Sequence, residues 1–328
     1  MTVLVLRALG LGDLLTAVPA LRAVRAARPG ESLVLAAPDW LRPIVDLVGG
    51  VDRLLPTAGL GALRWDGEPP DLAINLHGSG PQSIADLIAT RPRRLLTHRH
   101  PAFPAIDGPA WQPDTHEVVR WCRLLGSAAI AADPTALGIR PPGTDAAATG
   151  HIVVHAGGSS PARRWPAERF AIVAARLRRA GYRIVLTGDA GEVETATAVA
   201  DAAGLSPDSV LAGRQSLTEL TGTVARAALL ISGDTGIGHL ATAVGTPSVL
   251  IFGPNPPAWW GPPRDPAHIA LWAGRIGDPH APRPDPGLLL IEPDQVLAAA
   301  ARQLRCFGSR RGGTAPTSHW RTTTLGKE

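Results

Sequence analysis

Leu230-Ile231-Ser232-Gly233-Asp234-Thr235-Gly236-Ile237-Gly238-His239-Leu240-Ala241-Thr242-Ala243-Val244-Gly245-Thr246-Pro247 decides how the chain is read. The apolar run Ala227 to Ile231 enters small polar residues and glycines. Beyond them Ile237, Leu240, Ala241 and Val244 recur at helical spacing, so the stretch reads as strand, tight turn and helix. Ser232, Asp234 or Thr235 could cap that helix, and Gly236 and Gly238 would leave backbone N–H groups uncovered by any Cβ. A helix start of this kind attracts phosphate, because its free N–H groups and the positive end of the macrodipole face the anion together. Taken alone, the same glycines suit an ordinary turn in which a helix packs closely on a strand.

Outward from this stretch, strand-like and helix-like runs alternate along the chain, the pattern of α/β domains built on doubly wound parallel sheets. Thr2 to Leu6 is a strand without polar alternation, as a parallel sheet buried on both faces requires. It turns at Leu9-Gly10-Leu11-Gly12-Asp13, and Leu14 to Arg28 is predicted as one helix. A dinucleotide fingerprint is rejected here, because Leu15 replaces its third glycine and Asp13 stands where a pyrophosphate needs neutral donors. Asp13 is then either a helix cap or a fixed ionised base facing a cleft.

Ser32 to Ala36 and Asp71 to Leu76 read as further strands, Leu41 to Val48 and Ser83 to Thr90 as helices. The turn after Asn75-Leu76 carries His77, Ser79 and Gln82, which could contact a hydroxylated acceptor. Arg91 to Pro113 reads as a loop walling the cleft, and His116 to Leu125 as a helix whose Glu117 and Arg120 pair on its surface.

Pro141 to Gly150 has the composition of a linker. A second α/β half follows, with strand His151 to Ala156, the turn Gly157-Gly158-Ser159-Ser160-Pro161-Ala162-Arg163-Arg164, and helix Ala167 to Ala180. Arg163 and Arg164 could fork onto phosphate oxygens. Ser216 and Glu219 have capping-box spacing. Ser248 to Phe252 is expected to be the last strand, Ala258 to Pro286 irregular, and Pro293 to Arg305 a final helix. The expected domains are 1–140 and 151–305, joined by linker 141–150 and followed by a disordered basic tail, 306–328.

Composition bounds the function. The chain has 328 residues, 32 Lys plus Arg against 28 Asp plus Glu, and two cysteines. Near-balanced charge and the absence of an Arg run interleaved with aromatics argue against nucleic acid. Cys122 and Cys306 lack partners at ligand spacing and read as reduced thiols. No apolar run approaches the roughly 18 residues of a membrane span, and the N-terminal run is too short for a signal peptide. The expected compartment is the cytoplasm, at the inner membrane face if the acceptor is lipid-linked, with Trp259, Trp260 or the tail available for peripheral contact.

Together the motifs resemble glycosyltransferase family 9, the heptosyltransferase-like family. The resemblance rests on Leu9-Gly10-Leu11-Gly12-Asp13-Leu14-Leu15 with Pro19-Ala20-Leu21, on Gly158-Ser159-Ser160 with Arg163-Arg164-Trp165-Pro166, and on Asp234-Thr235-Gly236-Ile237-Gly238-His239-Leu240 followed by Phe252-Gly253-Pro254. It implies a GT-B architecture of two Rossmann-like domains facing across a cleft, with the last helix crossing back to the first domain. It implies a nucleotide-diphosphate-sugar donor and a glycan, glycolipid or small-molecule acceptor. Asp13 is then the catalytic base and Arg163 the cation near the donor phosphates. Ser159, Ser160, Arg164 and the run Asp234, Thr235, Gly236, Ile237, Gly238, His239 would bind donor, and Gly12, His77, Ser79 and Gln82 acceptor. The chemistry agrees, since glycosyl transfer needs a base for the acceptor hydroxyl and positive charge for the departing diphosphate. No Asp-x-Asp occurs, so neither metal nor cofactor is expected, and the protein is expected to be a monomer. Base and leaving-group site on opposite halves favour inversion. The competing readings are a nucleotide-sugar epimerase of the same architecture, a pyridine-nucleotide oxidoreductase, and a non-catalytic nucleotide-sugar binder.

Overall fold

The β-branched and leucine-rich runs form two separate parallel sheets in a computed structural model, which describes residues 1–142 and 150–307. Most of the expected linker and nearly all of the expected tail lie outside the described residues. In chain order the first half comprises β1 (Thr2–Leu6), α1 (Leu11–Thr16), α2 (Val18–Ala27), β2 (Ser32–Ala37), α3 (Arg42–Val48), β3 (Arg53–Pro56), β4 (Leu72–Asn75), α4 (Pro81–Ala89), β5 (Leu95–Leu96) and α5 (Glu117–Gly126). The second half comprises β6 (Ile152–His155), α6 (Ala167–Arg179), β7 (Ile184–Leu186), α7 (Val193–Ala203), α8 (Leu217–Ala225), β8 (Leu229–Gly233), α9 (Gly236–Ala243), β9 (Ser248–Phe252), α10 (Pro257–Trp260), β10 (His268–Trp272) and α11 (Pro293–Phe307).

The strand orders are β3-β2-β1-β4-β5 and β10-β9-β8-β6-β7, and every pairing is parallel. Both are doubly wound, and in such sheets ligands bind where the strand order reverses, beyond the carboxyl ends of the strands. The reversal lies between β1 and β4 in the first sheet and between β6 and β8 in the second. All four turns that carry the sequence motifs open at these two points.

Several expectations are corrected. The helix expected from Leu14 to Arg28 begins at Leu11, which puts Gly12 and Asp13 in its first turn, and breaks at Ala17. Pro19 causes the break: it has no N–H to continue the ladder, and it sits at the start of α2, where that loss is harmless. Ser248 to Phe252 is not the last strand, because the segment expected to be irregular supplies α10 and β10. The resemblance implied a last helix crossing back to the first half; the last helix among the described residues, α11, packs on α6 and on β8, β9 and β10 of its own half. Ser216 does cap α8, with Glu219 completing the capping box.

The halves are fused by an apolar cluster. It runs from Val3, Val5, Leu14, Leu15 and Trp121 through Ile237, Leu240 and Ala241 to Leu230, Leu250 and Phe252. Among the described residues, hydrogen bonds also cross between the halves, Ile139 N–H to Ala243 O at 2.8 Å and His116 Nε2 with Gly261 O at 3.0 Å. Among the described residues no helix is long and apolar enough to cross a membrane.

Candidate active site

Arg7 closes β1 with its side chain fully buried. A buried guanidinium must find acceptors for its donors, and the surrounding turns supply them. Nε donates to Asp13 O at 2.9 Å, Nη1 to Leu76 O, and Nη2 to Thr16 Oγ1 at 3.1 Å and Glu117 Oε1 at 3.0 Å. The guanidinium also lies over the Trp121 ring, 4.9 Å from its centroid. Asp13 Oδ1 stands 3.4 Å from Nη2, and Oδ2 accepts from Gly10 N–H at 3.2 Å. The Asp13 side chain is 28% exposed, whereas that of Arg7 is sealed beneath it. Asp13 is therefore both part of the helix cap and a partly exposed carboxylate.

Glu117 and Arg120 pair as expected, at 3.1 Å, but both are buried instead of lying on a surface. Glu117 Oε1 accepts from both Arg7 Nη2 and Trp121 Nε1, while Oε2 faces Arg120. Arg120 is further held by the Gln112, Pro113 and Thr115 carbonyls and by the face of Trp111.

On the neighbouring turn Asn75 Nδ2 donates to Gly78 O, Ser83 Oγ and Thr97 Oγ1, and its Oδ1 accepts from His77 N–H. This fixes His77 near Arg7 and Asp13. Burial lowers the His77 pKa and Arg7 adds to the effect, against the pull of Asp13; its Nδ1 is buried without a partner. Ser79 is half-buried and Gln82 exposed, and nothing among the described residues ties either to Asp13.

The second half contributes the turns after β6 and β8. A Cβ at Gly158 would lie 3.7 Å from Thr235 Cγ2, and one at Gly233 would lie 3.2 Å from Arg163 O, so the two turns touch. Arg163 donates to Ser159 Oγ and Arg164 Nε to Gly158 O. Three buried polar atoms here have no partner: Ser160 Oγ, Arg163 Nε and Thr235 Oγ1. Thr235 is the N-cap residue of α9, yet its hydroxyl makes no capping bond. Asp234 is buried and accepts from Asn255 Nδ2 at 3.2 Å. Burial raises its pKa, opposed by Arg163 and His239.

The glycines of α9 act differently from the expectation. Gly238 N–H donates to Thr235 O, and a Cβ there would press on Leu250. Gly236 packs on the other half, where a Cβ would lie 3.1 Å from Gly12 N. Helix geometry leaves the N–H groups of Gly236 and Ile237 without intrahelical partners, while the Ile237 side chain belongs to the core. His239 packs edge-on against Trp260 and beside Gly12, and burial lowers its pKa. The starts of α1 and α9 thus abut, with Asp13 on one side of the contact and the unpartnered atoms on the other.

Sequence reasoning missed Arg7, the role of Glu117, and Glu192. Arg7 was visible as a charge ending an apolar strand. Glu192 closes the β6 turn, its carboxylate accepting from Gly158 N–H at 2.8 Å and Asp189 N–H at 3.0 Å, with His155 Nε2 at 3.7 Å. A Cβ at Gly157 would collide with it. Among the described residues no three His, Cys, Asp or Glu side chains gather as metal ligands.

Two doubly wound domains that meet at their reversal points define the GT-B architecture. The sequence pattern of glycosyltransferase family 9 (heptosyltransferase) matches residues 110–280, and the chain belongs to that family. It is 30% identical over 115 residues to lipooligosaccharide heptosyltransferase 2 of Haemophilus influenzae, a match spanning 33% of this chain and 32% of that relative. The chain therefore aligns with about a third of that relative's length. Among solved structures, a family 9 glycosyltransferase from Veillonella parvula shares the fold at a TM-score of 0.76 and 22% identity, covering 93% of this chain and 97% of that one. The E. coli ADP-heptose LPS heptosyltransferase II does so at 0.74 and 20%, covering 93% and 99%.

Proposed function

We propose that the protein is an inverting, metal-independent glycosyltransferase that moves heptose or a related sugar from a nucleoside-diphosphate sugar to a hydroxyl of a glycan, glycolipid or small-molecule acceptor. The observation that carries the reading is the set of unpartnered atoms at the β6 and β8 turns. Ser160 Oγ, Arg163 Nε and Thr235 Oγ1 are buried donors with nothing to bond, and each such group is costly unless a ligand completes it. Two hydroxyls, a guanidinium and the first-turn N–H groups of α9 together suit a diphosphate. Glu192 borders the same turn and is suited to accept from a ribose hydroxyl.

Across the α1–α9 contact, Asp13 is the open carboxylate. It takes the proton of the acceptor hydroxyl as the oxygen attacks the anomeric carbon. The sugar–phosphate bond breaks on the other side, and the charge of the leaving diphosphate falls on Arg163, Arg164 and the helix start. Attack from the side opposite the leaving group inverts the anomeric centre. His77, with a buried unpartnered Nδ1 beside Asp13, contacts the acceptor. The enzyme acts as a monomer in the cytoplasm, at the inner membrane face where the acceptor is lipid-linked.

The test is thermal unfolding with ADP, UDP, GDP, dTDP and CDP, each with and without EDTA, followed by ADP-heptose turnover if ADP binds. A diphosphate at a hundred times its dissociation constant stabilises the fold by about 2.7 kcal/mol. One nucleotide is expected to act regardless of EDTA; a shift abolished by EDTA would overturn the metal-independent reading. Asp13→Asn is expected to keep the nucleotide shift and to lose roughly 100- to 10,000-fold in turnover. Undiminished turnover would remove Asp13 from the mechanism.

A further inference from the structure

Asp13 does not stand on its turn unaided, and what lies beneath it is unusually costly to build. Arg7 has no exposure at all, and a buried cation is tolerated only when it is paired and fully hydrogen-bonded. Glu117 provides the pair. It comes from α5, 110 residues away in sequence, and it holds the shorter of the two contacts to Arg7 Nη2, 3.0 Å against 3.4 Å for Asp13. Trp121 Nε1 and Arg120 Nε fix its two oxygens. Arg7 in turn grips the Asp13 turn chiefly through neutral groups, the carbonyl of Asp13 and the hydroxyl of Thr16, which itself donates to that carbonyl.

We infer that Arg7 and Glu117 form a buried positioning pair for Asp13. Arg7 pins the backbone of the Asp13 turn, and Glu117 takes the closer share of the Arg7 charge, so that Asp13 is left with only a long ion pair of 3.4 Å and keeps its carboxylate partly exposed. A general base at this position has to be held in place while remaining free to accept a proton, and a lone arginine beneath it would satisfy only the first requirement. That Asp13 acts as the base rests on the function proposed above.

The groups that bear on Asp13 come from four elements. Arg7 follows β1, Glu117 stands on α5, His77 follows β4, and His239 on α9 reaches Gly12 with His116 beyond it. Burial lowers the pKa of both His77 and His239, so in neutral solution the charged groups packed beneath the Asp13 turn are Arg7, Glu117 and, behind Glu117, Arg120.

The experiment follows the carboxyl 13C resonance of Asp13 against pH in protein labelled at aspartate, with Asp13→Asn identifying the signal. Glu117→Gln keeps the size and the Trp121 contact while removing the counter-charge, so the titration of Asp13 is expected to move to lower pH. Arg7→Met combined with Glu117→Gln removes both charges and the grip of Arg7, and is expected to move it to higher pH than in the parent protein. An unmoved resonance in Glu117→Gln overturns the inference. If that single variant fails to fold, the double variant decides, because it also removes the buried Arg7 cation and leaves Arg120 on the Gln112, Pro113 and Thr115 carbonyls; an unmoved resonance there overturns the inference equally. Turnover of Asp13→Asn separates this outcome from the function itself. An active Asp13→Asn removes Asp13 as the base, whereas an inactive one with unmoved titrations removes only the role of the pair.

Discussion

The two sequence readings of Asp13, cap and open carboxylate, describe different oxygens of one side chain: Oδ2 accepts from Gly10 N–H and Oδ1 faces Arg7. The carboxylate and its glycines were legible because a turn writes its requirements into consecutive residues. Glu117 was not, because its sequence neighbourhood is that of an ordinary amphipathic helix and its partner lies 110 positions away. The same burial governs His98, whose ring packs edge-on against Trp111 and Trp121. Burial, helped by Arg120, pushes its pKa down to about 4. Between that value and the ordinary 6.5 the unfolded chain binds a proton that the folded one refuses. Stability from this site is therefore complete above pH 6.5 and is lost as pH falls toward 4. His98→Phe keeps a ring between the tryptophans and removes the titration. Its urea midpoint is expected to decline less than that of the parent protein over this range, and parallel declines would assign the proton uptake to other groups. His151, also pushed to about 4, accounts for part of what remains.

Among elements, the central strands were legible and the edges were not. β1, β4, β6, β8 and β9 are buried almost throughout, and each carries at least three consecutive apolar residues. β3, β5 and β10 are short or half-buried, so a buried face leaves too few residues to set a period against the polar loops around them. The final helix was legible as a helix, but which half it covers was not, since an apolar stripe does not name its partner. The helix starts carry a sharper consequence. Gly12 and Gly236 are small because α1 and α9 meet there, and a Cβ at Gly12 would lie 2.8 Å from His239 Cδ2 and 3.3 Å from Gly236 Cα. The histidine ring can turn, but the backbone cannot recede without parting the two halves. Gly12→Ala is expected to cost about 1–3 kcal/mol, the range of an overpacked contact, measured as a fall in urea midpoint. Gly30→Ala, with open space around the new methyl group, is expected to cost less. Equal effects would mean that the α1–α9 contact is loose in solution.

For the whole molecule, the division into two sheets does not amount to two independent units. Domains within one chain usually meet over polar surfaces and move relative to one another. Here Leu14, Leu15 and Trp121 share one apolar cluster with Ile237, Leu240 and Phe252, and the α1–α9 contact sits within it. Exposing either half alone would put that shared surface into water, at about 25 cal/mol for each Å². The cost of separating the halves is thus added to the cost of unfolding whichever goes first. Unfolding is expected to be a single cooperative transition despite the length of the chain. Trp121 is buried in the first half and Trp165 in the second, so 5-fluorotryptophan labelling, with Trp→Phe variants to assign each 19F signal, reports both halves in one urea titration. The two native signals are expected to vanish together. Loss of the Trp121 signal at a lower urea concentration than that of Trp165 would show that the shared cluster does not couple the halves. Asp13 and the donor turns would then be held together by bound substrate and not by the fold.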